Sequence, residues 1–383
     1  MAGLGKVGSP RHDLSCAACG HTIPLPSTEW RCSRCGGMLD VQTDVLFDPA
    51  EIDVSRPGLW RYRRCLPIMD DNSIVTLGEG WTPLLECAVD GYPVWLKQEQ
   101  LFPTGSFKDR GAAVLVSAAN EAGVEGVVED SSGNAGGAIA AYCARAGIAC
   151  RILVPADTTE AKLAQIRAYG AELVAVPGDR QATAQAAWEQ AQARYYASHV
   201  WNPLFLQGCK TFAYELVEQL DWRAPDVIVL PVGNGTLLLG AYLGFEDLLM
   251  ARVIDAMPRL IGVQSAACAP LVAAWASDGF DVGQVSPTVA SGIAIAAPAR
   301  QAQILQAVSQ SGGCWIAVSE DEIAAALRLL AAQGLFVEPT AAATIAGLRK
   351  VLPRRESETV VSALTGHGLK AATKVWDLTR GSR

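Results

Sequence analysis

The feature that most constrains this chain is an alternation that begins near residue 90 and runs almost to the end. Short apolar, largely β-branched runs are each followed by an Ala-rich stretch with helical spacing: VVEDSS then AGGAIAAYCARAG, CRILVP then TEAKLAQIRAYG, AELVAVP then RQATAQAAWEQAQA, VIVLPVG then TLLLGAYLGFEDLL. Further apolar runs follow at RLIGVQ, CWIAVS and TVVSALTG. Near-continuous apolar strands separated by helices imply parallel sheets covered on both faces. With this many units in 383 residues, an α/β protein of two open parallel-sheet lobes is expected rather than one sheet. Ligands of such lobes sit at the carboxyl ends of the strands, so the site is expected at strand-to-loop transitions between the lobes.

Composition excludes several partners. A net charge of -8, from 31 basic and 39 acidic residues, gives no general attraction to nucleic acid or an anionic membrane. No run approaches the roughly 18 apolar residues of a membrane span, and the opening MAGLGKVGSPRHD has no apolar core of signal-peptide length. A cytoplasmic enzyme is the expectation. Of eleven cysteines, seven lie scattered in apolar or helical contexts, as free thiols do in a reducing compartment.

The other four are Cys16, Cys19, Cys32 and Cys35, two Cys-x-x-Cys knuckles separated by twelve residues. Each knuckle sets two thiolates in one tight turn, and two turns supply the four soft ligands of a closed tetrahedral zinc site. Such a site has no open position, so its role is structural. An empty ribbon and an iron site are the alternatives; His21 lies between the knuckles as an outside candidate.

Two transitions carry the chemistry. PTGSFKDRG, residues 103–111, holds Lys108, one of eight lysines, between a Gly-Ser-Phe turn and a segment that can open a helix. A lysine nucleophile needs a partly desolvated position that lowers its pKa, and a turn entering a helix offers one; a plain charge cluster at a helix start is the competing reading. Gly233-Asn234-Gly235-Thr236 follows VIVLPV and opens another helical stretch, so its N–H groups suit a phosphate. A dinucleotide fingerprint is the alternative, but the third glycine, Gly240, comes two positions late for it.

PTGSFKDRG resembles the lysine motif of the fold-type II pyridoxal-phosphate (PLP) enzymes. Further segments agree in order with the threonine synthases: Thr76-Leu77-Gly78-Glu79-Gly80-Trp81-Thr82-Pro83-Leu84, then Ser131-Ser132-Gly133-Asn134-Ala135, then Thr365-Gly366-His367-Gly368-Leu369-Lys370. Five ordered matches, the cysteine-rich N-terminus included, make the chain similar to the threonine synthase family. The resemblance implies two lobes of the tryptophan synthase β-like kind: a zinc-ribbon-like segment at 1–45, a large PLP-binding lobe from 46–112 and 205–383, and a small lobe at 113–204. It implies that Lys108 carries the cofactor as a Schiff base and shuttles the substrate α-proton. Asn134 is then the ligand of the cofactor's phenolic oxygen, Gly233, Asn234, Gly235 and Thr236 hold its phosphate, and Thr365 places a hydroxyl on its ring nitrogen. Ser131, Ser132 and Gly133 take the substrate carboxylate, and Lys210 joins them as a substrate ligand. A homodimer acting on a small amino acid is the expected form.

The resemblance thins at one segment. Threonine synthases grip the phosphate of O-phosphohomoserine partly with a segment like Asn-Ser-Val-Asn-Pro-x-Arg before Gly-Gln-Lys-Thr. Here His199-Val200-Trp201-Asn202-Pro203-Leu204-Phe205 precedes Gly208-Cys209-Lys210-Thr211. Phe205 replaces the arginine fork, His199 and Val200 replace Asn and Ser, Ala135 replaces a threonine, and Phe102 stands where Asn is frequent. Three readings follow. The first is threonine synthase chemistry, with Lys97, Lys210 or Arg110 holding the substrate phosphate. The second is β-elimination or β-replacement on another amino acid, of the serine/threonine dehydratase or cysteine synthase kind, with Phe205 lining an apolar pocket. The third is a catalytically silent PLP-binding protein.

Overall fold

The computed structural model describes residues 11–276, 285–351 and 358–380; the first ten residues, read above for an export signal, lie outside it. Near the N-terminus β1 (His12–Cys16), β2 (Thr22–Pro24) and β3 (Leu39–Thr43) form an antiparallel sheet in the order β2-β1-β3. A six-stranded sheet is built from β4 (Leu84–Val89), β5 (Tyr92–Lys97), β10 (Val227–Pro231), β11 (Arg259–Ser265), β12 (Cys314–Val318) and β13 (Val360–Ala363), in the order β12-β11-β10-β13-β5-β4. Between its two halves in sequence come β6 (Gly126–Glu129), β7 (Ala149–Pro155), β8 (Glu172–Val176) and β9 (Tyr195–Tyr196), which form a four-stranded sheet in the order β8-β7-β6-β9.

All pairings in the two larger sheets are parallel except β4 with β5. The expected two α/β lobes are therefore present. Alternation alone did not reveal the antiparallel edge strand β4. Its hairpin turns on Asp90-Gly91, both at positive φ (49° and 84°), the backbone a two-residue turn between right-twisting strands requires. Strands β10 and β13 are buried on nearly every residue, which is why they read as unbroken apolar runs rather than alternating ones. No helix among the described residues is long and apolar enough to cross a membrane.

Seven helices position the site: α1 (Lys108–Glu121), α2 (Asn134–Ala146), α3 (Glu160–Ala168), α4 (Arg180–Gln190), α5 (Pro203–Cys209), α6 (Thr211–Gln219) and α7 (Thr236–Met250). Their limits follow local rules. The Asp179 side chain accepts from the first N–H groups of α4, Asn202 caps α5 ahead of Pro203, and α2 stops at left-handed Gly147. Helices α1, α5 and α7 cross at glycines. A Cβ on Gly208 would lie 1.9 Å from the Arg110 carbonyl oxygen, and one on Gly240 would lie 2.3 Å from the Cys209 Cβ.

Beneath α1 lies a closed ionic network. Arg110 donates from Nε and Nη2 to both oxygens of Glu99 at 2.7 Å, and its Nη2 stands 2.6 Å from Glu215 Oε2. Lys97 on β5 reaches Glu215 at 3.1 Å, Gln219 at 2.7 Å and the Thr82 carbonyl at 2.6 Å. All four charged side chains are fully buried. Two cations meet two carboxylates, so the net charge is zero and each ion's desolvation is offset by its partners. For Glu215, burial pushes the carboxyl up, but Arg110 and Lys97 overcome it and hold it below its ordinary range. Replacing Arg110 with Met leaves two buried carboxylates facing one lysine. The expected loss is about 3–5 kcal/mol of stability, read as a lower denaturant midpoint of the full-length protein; an unchanged midpoint contradicts this account.

Candidate active site

Lys108 opens α1 after a loop strapped to the end of β13. The Phe107 N–H donates to the Thr365 carbonyl at 3.1 Å, and the His367 N–H donates to the Gly105 carbonyl at 2.9 Å. Gly105 sits at φ 83°, and a Cβ there would press on Lys370 Cδ at 3.3 Å. The adjacent Asp109 accepts from the Thr104 N–H at 2.8 Å and from its hydroxyl. Fixed in this way, Lys108 Nζ lies 3.0 Å from Thr236 Oγ1 and 4.6 Å from the centre of the Phe107 ring. Burial pushes its amine down to about 8, so a useful fraction is neutral and nucleophilic near pH 7–8.

Thr236 is the first residue of α7. Among the described residues, none of the backbone N–H groups of 233–238 has an acceptor within the protein. Gly235 enters the helix at φ 73°, and a Cβ on Gly233 would press on the Gly292 carbonyl and Ile295 at 3.0 Å. A helix N-terminus with free donors and no side chain in the way accepts a phosphate. The sequence-expected phosphate turn, Gly233 to Thr236, and Lys108 are therefore brought together.

Ser131, Ser132 and Gly133 link β6 to α2, whose first residue is Asn134. The Gly133 N–H donates to Ser131 Oγ at 3.3 Å, while the N–H groups of 134–136 have no acceptor among the described residues, leaving a second anion site. Asn134 Nδ2 donates to Glu338 Oε2 at 3.0 Å. Burial pushes the Glu338 carboxyl up, and Asn134 and Lys370 draw it down. Thr365 is buried, one residue beyond the VVSAL run, and its hydroxyl has no partner among the described residues. A lysine amine, two helix N-termini with free donors, a free hydroxyl and an anchored amide thus fit PLP: an aldehyde for Lys108, a phosphate for 233–236 and a ring for Asn134 and Thr365.

Lys210 is placed elsewhere, and this corrects the sequence reading. It lies at the α5–α6 junction, 3.1 Å from Asp247 on α7. Asp247 is eleven residues along α7 from Thr236, about 16 Å at 1.5 Å per residue, beyond the reach of a ligand held at Lys108. The cause is backbone packing, since a Cβ on Gly244 would lie 2.3 Å from the Lys210 carbonyl. Lys97 and Arg110, the other cations weighed for a substrate phosphate, are committed to the buried network. Phe205 does not face an open pocket either. It is fully buried, with its ring where a Cβ on Gly111 would be (2.3 Å), and it forms the floor 5.5 Å behind Lys108 Nζ.

Several residues at the site escaped sequence reasoning. Glu338 precedes Pro339 four residues after the Gly334 turn, and a lone acid there carries no motif. Arg180, the exposed first residue of α4, acts electrostatically on Lys108, Asp130 and His199. Glu129 ends β6 and Asp130 follows it; two acids closing an apolar run were the available signal. Glu129 is fully buried, and its Oε1 lies 2.7 Å from His199 Nδ1.

The cysteine cluster is also assembled. The Sγ atoms of Cys16, Cys19, Cys32 and Cys35 all lie within 4.8 Å of one another, with 3.5 Å between Cys16 and Cys35 and 3.6 Å between Cys19 and Cys32. His21 contributes only its carbonyl, to the Cys16 N–H. Arg300 ties this sheet to the lobes: it donates to Asp40 at 2.8 Å and to the Val200 carbonyl at 2.9 Å.

Comparison with known proteins agrees with this geometry. Residues 75–366 match the family model described as pyridoxal-phosphate dependent enzyme. A threonine synthase of Methanocaldococcus jannaschii is 37% identical, covering 93% of this chain and 92% of its own. One from Methanosarcina acetivorans is 36% identical over 96% and 94%, and one from Mycobacterium tuberculosis 40% identical over 81% and 87%. Among solved structures, serine racemase from Dictyostelium discoideum superposes with a TM-score of 0.63 at 25% identity, covering 75% of this chain and 92% of that one. A threonine deaminase from T.th. gives 0.63 at 26%, with coverage of 75% and 92%. The chain belongs to the pyridoxal-phosphate dependent enzymes, as a homologue of the threonine synthases.

Proposed function

We propose that this protein is a PLP-dependent lyase that eliminates a side-chain group from an amino acid, in the manner of threonine synthase, which converts O-phosphohomoserine and water into threonine and phosphate. The observation that carries the reading is the convergence of the Lys108 amine on Thr236 at the donor-rich head of α7. Bound there, the cofactor supplies an electron sink, a moderate one because Thr365 offers its ring nitrogen a neutral hydroxyl rather than a carboxylate. Lys108 takes the α-proton and returns it. The N–H groups at 233–236 hold the phosphate, Asn134 orients the ring from its Glu338 anchor, and Ser131, Ser132, Gly133 and the head of α2 hold the substrate carboxylate. With Lys97, Lys210 and Arg110 engaged elsewhere, exposed Arg180, which acts electrostatically on Lys108 and His199, is a cation available to a phosphorylated side chain. A second reading, elimination from an amino acid with an uncharged side chain, is favoured by the Glu129–His199 pair in the segment where threonine synthases grip phosphate.

We also assign zinc to the four cysteines. Tetrahedral zinc–sulfur bonds of about 2.3 Å set sulfurs about 3.8 Å apart, and the paired separations of 3.5 and 3.6 Å fit.

Borohydride reduction and peptide mapping are expected to place the pyridoxyl label on Lys108, and Lys108→Ala to abolish it; a label on another lysine refutes the assignment. In cofactor-free protein the amine is reactive only when neutral. The rate of PLP capture should therefore rise with pH and level off above about 8, instead of climbing towards the ordinary lysine value near 10.4. Metal analysis should give about one zinc per chain, and chelation should lower the stability of the N-terminal sheet while leaving bound PLP largely in place; protein free of both zinc and iron defeats this assignment. O-phosphohomoserine should be tested beside serine, threonine and O-acylserines. Conversion of O-phosphohomoserine with kcat/KM of about 10⁴ M⁻¹s⁻¹ or more selects the first reading.

A further inference from the structure

The Glu129–His199 pair has no part in holding the cofactor, yet it is built as tightly as the groups that do. His199 is nearly fully buried and Glu129 fully so. Nδ1 of the ring is 2.7 Å from Glu129 Oε1, and Nε2 is 3.4 Å from the side-chain amide of Asn234, within the phosphate turn. The ring meets Phe205 edge to face at 6.0 Å, and Lys108 Nζ stands 5.5 Å from that same Phe205 ring. The second oxygen of Glu129 is buried with no partner among the described residues. An imidazole held at one nitrogen by a buried carboxyl, with its other nitrogen beside Asn234 of the phosphate turn, is the arrangement of an acid–base catalyst.

We propose that His199, backed by Glu129, donates a proton to the leaving oxygen of the substrate side chain, so that the fitting substrate is an amino acid with a free side-chain hydroxyl rather than a phosphate ester. The proposal rests on the cofactor reading above. The carbon–oxygen bond breaks with its electron pair going to oxygen. That oxygen takes the Nε2 proton and leaves as water, while the Glu129 proton passes to Nδ1. Lys108 holds the α-proton; its release to solvent, with uptake of one proton at Nε2 while Nδ1 returns its proton to Glu129, restores the site. Hydroxide is a poor leaving group and needs this proton, whereas a phosphate dianion leaves without it.

The charged groups around His199 are Glu129 at the end of β6, in direct contact, Lys108 at the head of α1 and Arg180 at the head of α4, while Asp130, next after β6, acts on Glu129. Burial raises the Glu129 carboxyl well above its usual range, with Asp130 adding to it, and burial lowers the imidazole with help from Lys108 and Arg180. Both directions favour a protonated Glu129 and a neutral imidazole carrying its proton on Nε2. The Asn234 amide then offers its oxygen, an orientation reached by exchanging its oxygen and nitrogen.

The test uses full-length PLP-loaded protein and a leaving group that needs no proton. Initial rates of elimination are measured on serine, threonine and β-chloroalanine for the wild type, His199→Gln and Glu129→Gln, with cofactor content and circular dichroism as checks on folding. A lost general acid should lower kcat on the hydroxy amino acids about 10²- to 10⁴-fold while β-chloroalanine turnover falls less than about 10-fold. Equal losses on all substrates, or no loss, overturn the proposal. Turnover of O-phosphohomoserine alone also overturns it and leaves the cofactor reading standing, whereas failure to bind PLP at Lys108 defeats that reading itself. A readout independent of turnover is the nitrogen chemical shifts of His199, one of four histidines, in cofactor-free protein. They should report a neutral ring protonated on Nε2 at pH 7; a charged ring, or the proton on Nδ1 of a neutral ring, counts against it.

Discussion

The placement of Lys108 depends on Arg110, two residues further along α1. A lysine side chain is long and flexible, so a reacting amine is positioned only as well as the backbone that carries it. Arg110 supplies that rigidity by donating to Glu99, Glu215 and Thr211 within one fully buried cluster. Lys97 completes it from β5, and Glu215 and Gln219 bring in α6. The head of α1 is therefore pinned to a strand of the large sheet and to a helix packed beneath it. Unlike a surface pair, a neutral buried network fails badly when one member is removed, because the remaining charges have no water to turn to. The same network explains why neither Lys97 nor Arg110 is free to bind an anion.

The sheets, the lysine turn at 108 and the glycine turn at 233–236 were legible in the sequence because each rests on local rules. Buried parallel strands must be apolar along their length, a helix head near a phosphate must lack side chains, and a nucleophilic lysine sits at a turn into a helix. Lys210 was misread because matching Gly-x-Lys-Thr says nothing about the direction in which the lysine leaves the helix junction, which packing of its backbone on Gly244 decides. Glu338 and Glu129 were missed for a related reason. A single carboxylate has no periodicity, and its role appears only once the fold brings it to Asn134 or His199 from 204 or 70 residues away. The hairpin at Asp90-Gly91 escaped in a different way, its turn residues being plain but its strands, LLECAV and YPVWLK, carrying neither an unbroken apolar run nor a following helix.

The two halves of the site meet different demands. One set of groups comes from the large-sheet strand ends and the heads of α1 and α7, where Lys108 meets Thr236. A second set comes from the end of β6 and from the segment at 199–205, which meet at the Glu129–His199 contact. Arg300 stiffens that segment by donating to the carbonyls of Val200 and Trp201 while also binding Leu39 and Asp40. The cysteine-rich sheet is thereby braced directly against the residues beside His199, and Trp30 adds edge contacts to Tyr196 and Trp201 at 4.9 and 6.0 Å.

That bracing gives a buried histidine a physical justification. Removing an imidazole and a carboxyl from water costs several kcal/mol unless their mutual hydrogen bond is kept short. A loop free to move would relax toward solvent and lose that bond. Here His199 is held between Glu129, a strand-end residue whose backbone is fixed by the parallel ladder to β7, and a segment clamped by a fully buried arginine. The pair is thus kept at 2.7 Å by elements on both sides of it, and a dyad preorganised in this way needs little reorganisation when a proton moves along it.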